Sequence, residues 1–186
     1  MSFTEPQAPN TGAAAPGYTR TAKGLHWLMA VLIIGLLVLG IYMHELPLSP
    51  RKLQLYAWHK WAGVTVFVLL WLRLAWRISH RPPPLAPTLS ARARMAAHWG
   101  HGLLYALMAL IPLSGWLMSS AKGFQTVWFG VLPLPDVVGR NAALGDALQS
   151  LHQGLNLMLM LTLAGHIGAA LWHHFIRRDD TLRRMR

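Results

Sequence analysis

The sequence predicts an all-α membrane protein, a bundle of four transmembrane helices with both termini in the cytoplasm. Three observations lead there. Of 186 residues, 54% are hydrophobic and only 12% are charged, which leaves too little polar surface to keep so small a domain in water. The apolar residues fall into four long blocks, each able to cross a hydrocarbon core of roughly 30 Å at about 1.5 Å per helical residue. The cations are distributed unevenly around those blocks, as the positive-inside rule requires.

Residues 1–19 are rich in Ala, Pro, Gly and Thr without apolar periodicity. They are expected to form a mobile tail, leaving 20–186 as a single membrane domain. The first span, about 25–43, reads LHWLMAVLIIGLLVLGIYM; its flank with His44, Glu45 and Pro47 offers no small-residue cleavage site, so it is expected to stay as a span and not to be removed as a signal peptide. The second span runs over about 55–78, the third over about 102–118 with Pro112 near its middle, and the fourth over about 151–175. The connection 44–54 is short. The connection 79–97, SHRPPPLAPTLSARARMAA, carries a proline run that excludes helix and suits a stiff strap. The connection 119–150 holds several Gly and Pro, with Trp128 and Phe129 as interfacial anchors.

Arg20, Lys23, Arg77, Arg81, Arg92, Arg94, Arg177, Arg178, Arg183, Arg184 and Arg186 fall on the side of the termini and the second connection. Arg51, Lys52, Lys60, Lys122 and Arg140 fall on the other. The termini are therefore expected in the cytoplasm and, in a bacterium, the first and third connections in the periplasm, which places the chain in the inner membrane among lipid. The net charge of +11 does not point to nucleic acid, because the cations are spread between apolar blocks. With no Cys in the chain, disulfides, thiolate zinc sites, iron-sulfur clusters and covalently tethered c-type haem are excluded together.

Ten His remain to be explained. Within a lipid-embedded helix a His is costly unless paired or bound. His152 and His166 lie fourteen residues apart in the fourth block, so they differ by only about 40° around the helix and by roughly 21 Å along it. Two sites stacked across the bundle follow from that spacing. At the outer level the natural partner of His152 is His59, near the start of the second block; at the inner level His26 can face His166. His98, His101 and His173 compete for that inner position. Zinc generally gathers three or four ligands, often with carboxylate or thiolate among them, and these spans supply neither. Haem iron needs two axial ligands on opposite faces of a macrocycle, which two helices provide, so two haems fit better. Gly24, Gly63, Gly154 and Gly165 would let a flat ring approach the backbone, although close helix packing also favours Gly. Arg73 follows His59 by fourteen residues and could pair with haem propionates, or snorkel to lipid headgroups.

The chain after residue 18 resembles the prokaryotic cytochrome b561 family in its LHW, WHKWAG, LRLAWR, AHWGHGLLYALMALIPLSGW, SLHQG, AGHIGAALWHHF and DDTLRRM segments. The resemblance implies a four-helix electron carrier with two b-type haems, each held by two His, and it places the ligands on His26, His59, His152 and His166. Within that family the chain is most similar to members that pass electrons from superoxide to ubiquinone, so an oxidoreductase of that type is expected. A non-enzymatic anchor relaying electrons between a partner redox protein and the quinone pool is the alternative. His101 and His173, at the cytoplasmic end, are candidates for binding or protonating the quinone. Lys60 and Lys122, on the outer side, are candidates for steering superoxide.

Overall fold

The computed structural model describes residues 17–84 and 89–185. Four long helices carry the fold: α1 (Arg20–Glu45), α2 (Pro50–Ser79), α3 (Ala91–Ala121) and α4 (Ala142–Trp172). A two-stranded hairpin, β1 (Val127–Trp128) and β2 (Leu132–Pro133), sits between α3 and α4. After α4 come a π-helical turn, His173–Arg177, and a 3-10 turn, Arg183–Met185. All four long helices have the length and apolarity to cross a membrane, as the sequence predicts.

Each helix outruns its apolar block because a polar side chain caps it before the block begins. Thr19, Ser49, Ser90 and Asn141 accept hydrogen bonds from the backbone N–H groups of Ala22, Lys52, Ala93 and Leu144 at 3.2, 3.3, 3.2 and 3.0 Å, satisfying donors that the first turn leaves open. Two boundaries are corrected accordingly. The helix of the third span starts at Ala91, absorbing residues assigned to the strap, and that of the fourth starts at Ala142. Pro82–Pro84 stay outside any helix, and residues 85–88 of the strap lie outside the described residues.

The mobile tail expected for residues 1–19 lies, for 1–16, outside the described residues. Residues 18 and 19 are held to the bundle. Thr19 Oγ1 accepts from Trp76 Nε1–H at 2.9 Å, and Tyr18 N–H donates to the Arg184 carbonyl at 3.4 Å. Trp27 Nε1–H donates to the Met185 carbonyl at 2.8 Å, and Arg184 Nη1–H to the Pro84 carbonyl at 2.8 Å. The start of α1, the second connection and the C-terminal segment thus meet at one end of the bundle, as an even number of crossings demands.

At the opposite end the hairpin is fastened to α2. Trp61 Nε1–H donates to the Val127 carbonyl at 2.6 Å and Trp128 Nε1–H to Thr65 Oγ1 at 3.2 Å. Its turn places Phe129 and Gly130 at φ 51° and 72°, left-handed conformations at the first two of the three residues that join Trp128 to its partner Leu132. Phe129 is kept there by its ring, 5.6 Å from Trp61 and 5.3 Å from Trp128.

The buried interior is thin: Met29, Val66 and Leu70 form its centre, with Leu32, Leu36, Tyr105 and Met108 packed around them. α3 packs along α4, α1 along α2, and α2 against α3. Large apolar side chains face outward instead, with Val31, Val38 and Leu161 at 69%, 63% and 67% exposure. In water such a surface would drive aggregation; in lipid it is the expected exterior.

Candidate functional site

The helices bring the histidines together in pairs. His59 of α2 and His152 of α4 have ring centroids 6.5 Å apart. His26 of α1 and His166 of α4 are 6.2 Å apart. Because His152 and His166 lie on one continuous helix, the two pairs sit on levels separated by roughly 21 Å.

Of the three rivals for the inner level, His101 of α3 stays beside it, 5.5 Å from His166. His98 is exposed, and its Nδ1–H donates to the Arg94 carbonyl at 2.8 Å. His173 donates from Nδ1–H to Asp179 Oδ2 at 2.5 Å. The π-helical turn and the left-handed Arg178, φ 54°, bend the chain back to make that contact. Desolvation pushes the Asp179 carboxyl upward, but hydrogen bonds from the Thr181 hydroxyl and amide and from His173 outweigh it and hold the group below its ordinary value.

Arg73 points into the inner cluster. Its Nη1 and Nη2 are each 3.2 Å from His26 Nδ1, and its Nε–H donates to the Tyr105 hydroxyl at 3.2 Å. A guanidinium can only donate, so His26 Nδ1 acts as acceptor in this arrangement. On the outer side Lys60 Nζ donates to the Phe124 carbonyl at 3.1 Å. Lys122 is paired with Asp146 at 3.2 Å and also donates to Gln149, so part of its charge is compensated.

Several observations test whether these residues fit haem. Two imidazoles gripping one ion from opposite sides at about 2 Å each have ring centres roughly 6 Å apart, and both pairs meet that spacing. Among the described residues no three or more His, Asp or Glu converge to hold an ion. The outer level therefore offers two imidazoles, and the inner level offers His26 and His166 with His101 beside them, enough for iron already held by a macrocycle. At Gly24, Gly63, Gly154 and Gly165 an added Cβ would meet nothing within 4 Å, so the backbone beside each paired His opens onto free space. His59 Nδ1 is buried with no hydrogen-bond partner, so no side chain or backbone contact at that nitrogen commits the imidazole to another role. The residues fit.

Sequence reasoning missed Gly40 and Gly115. A Cβ on Gly40 would lie 3.4 Å from His59 Cε1, and one on Gly115 would lie 3.2 Å from His152 Cε1, so each outer imidazole is seated on glycine backbone of a neighbouring helix. Ser114, Tyr105 and Asp179 were missed as well. Ile111, Ser114 and Gly115 share one face of α3 by their i, i+3, i+4 spacing, a signal visible in sequence, but only the packing of α3 on α4 shows that His152 lies against that face.

A family model described as prokaryotic cytochrome b561 matches residues 17–186. The chain is 34% identical over 172 residues to cytochrome b561 homolog 2 of Escherichia coli (strain K12), covering 90% of each chain. It is 29% identical over 172 residues to probable superoxide oxidase CybB of Yersinia pestis, covering 90% of this chain and 94% of that one. It is 28% identical over 176 residues to cytochrome b562 of Cereibacter sphaeroides, covering 91% and 95%.

Proposed function

Because the chain belongs to the prokaryotic cytochrome b561 family, membrane electron-transfer proteins that bind b-type haem, we propose that it is a superoxide:ubiquinone oxidoreductase with two haems. One haem is held by His59 and His152, the other by His26 and His166. The imidazole pairs at 6.5 and 6.2 Å on two levels of one bundle carry this reading. Likeness to a protein named probable superoxide oxidase supports the choice of donor. The cation distribution supports an inner-membrane placement with cytoplasmic termini and a periplasmic outer site.

Bound haem supplies one-electron chemistry. Two superoxide anions each lose one electron to give two O2, and one ubiquinone takes up the two electrons and two protons. The protein's own residues bind, steer and deliver protons. Lys60, beside His59, and the rest of the outer cations draw an anionic donor to that end. Arg73, already at His26, is the natural donor to propionate carboxylates. Turning toward them would release His26 Nδ1 to carry a proton, leaving Nε2 with a lone pair for ligation. His101, exposed beside His166, and His173, its Nδ1 committed to Asp179, are placed to hydrogen-bond quinone oxygens and pass protons from the cytoplasm.

Purified protein mixed with superoxide in a stopped-flow instrument is expected to reduce its haems with no partner added, and ubiquinone is expected to reoxidise them. Reduction should slow several-fold as salt rises from low to physiological strength, and with Lys60→Glu, while the haem spectrum stays unchanged. His101→Ala and His173→Ala should slow only the ubiquinone step. Reduction that occurs only when a redox protein is added would identify a relay anchor instead.

A further inference from the structure

The two outer imidazoles are held differently. His59 Nδ1 is buried without a partner, whereas His152 Nδ1 lies 3.1 Å from the Ile111 carbonyl oxygen and 3.0 Å from Ser114 Oγ. Ser114 Oγ–H itself donates to the Ile111 carbonyl at 2.8 Å. A carbonyl can only accept, and the hydroxyl spends its proton on that carbonyl, so Nδ1 of His152 must be the donor to both. That fixes one tautomer, with the proton on Nδ1 and the lone pair on Nε2. Ser114 is buried at 4% exposure, so water does not compete for the contact. Gly115, the next residue, brings the α3 backbone against the ring, where an added Cβ would stand 3.4 Å from Nδ1 itself.

We propose that Ser114, acting with the Ile111 carbonyl, is a positioning residue for His152: it selects the Nδ1–H tautomer and draws on that N–H, making His152 the more electron-rich ligand of the outer pair. This rests on the reading of His59 and His152 as haem ligands. An N–H that donates strongly raises the basicity of the opposite nitrogen, which favours the oxidised metal and lowers the potential of the outer haem relative to a site with two unpartnered imidazoles. A hydroxyl that accepts while donating onward is the better acceptor, because hydrogen bonds in a chain polarise one another.

Redox titration of the full-length protein, followed through its visible spectrum together with the electron paramagnetic resonance of the oxidised haems, tests this. Ser114→Ala should move one midpoint potential upward and shift the resonance of that haem alone, and Ser114→Thr, which keeps the hydroxyl, should restore both. Unchanged potentials, a downward shift, or equal movement of both haems would overturn the proposal. If Ser114→Ala instead loses the outer haem, recovery of haem and potential in Ser114→Thr upholds the hydroxyl's role, and its failure shows that the position serves packing alone. His152→Ala in the same series separates the underlying assignment: two haems of native potential there would mean that His152 is not a ligand, whatever Ser114 does.

Discussion

His59→Ala and His152→Ala are each expected to remove the outer haem completely and leave the inner one in place. The two rings form one pair, 6.5 Å apart, and no third imidazole stands in ring contact with either among the described residues that could take over. The inner pair, His26 and His166 at 6.2 Å, sits about four helical turns away along α4 and is completed by α1 instead of α2, so it has its own ligands and its own packing. Haem content per chain should therefore fall from about two to about one, with a b-type spectrum retained. His98→Ala, at an exposed residue bonded within its own helix, should leave both haems and serves as the control. Loss of both haems from either ligand variant would mean that the sites assemble as one unit or that the pairing is wrong.

Gly115→Val is expected to empty the same site without touching a ligand. The added Cβ would stand 3.2 Å from His152 Cε1, tighter than ordinary contact, and 3.4 Å from Nδ1, and Val brings two further methyl groups to the same crowded place. Overpacking of this kind costs about 1–3 kcal/mol. The imidazole supplies the three nearest side-chain atoms at that position, so it is the group expected to yield, turning away from His59 and from its acceptors on α3. Gly35→Ala is the matched control, because a Cβ there meets nothing within 4 Å and Ala is the better helix former by up to about 1 kcal/mol. A Gly115→Val protein that still carries both haems at native potential would show that the ring is not seated on this glycine.

Much of this was legible in the sequence. The four spans announce themselves because lipid demands long apolar runs, and the fourteen-residue spacing of His152 and His166 fixes their shared face through helix geometry alone. The helix starts at Ala91 and Ala142 were less visible, since they depend on single capping side chains, Ser90 and Asn141, rather than on hydropathy. The hairpin at Val127–Pro133 was hidden because two-residue strands carry no periodicity, and its tie to Trp61 is a long-range contact. The surroundings of the outer pair were hidden for the same reason: Ser114 and Gly115 acquire meaning only when α3 is laid against α4. The partner of His173 was hidden too: its position marked it as a candidate at the cytoplasmic end, and only the turn after α4 shows Asp179 folded back onto it.

The central claim is that each of two histidine pairs holds one non-covalent haem. Haem content of the purified protein, measured as the pyridine adduct before and after acid-acetone extraction, tests it most directly. About two b-type haems per chain, all of them extracted because no Cys can tether them, is the predicted result. A content near one, none at all, or haem that stays with the protein would contradict it.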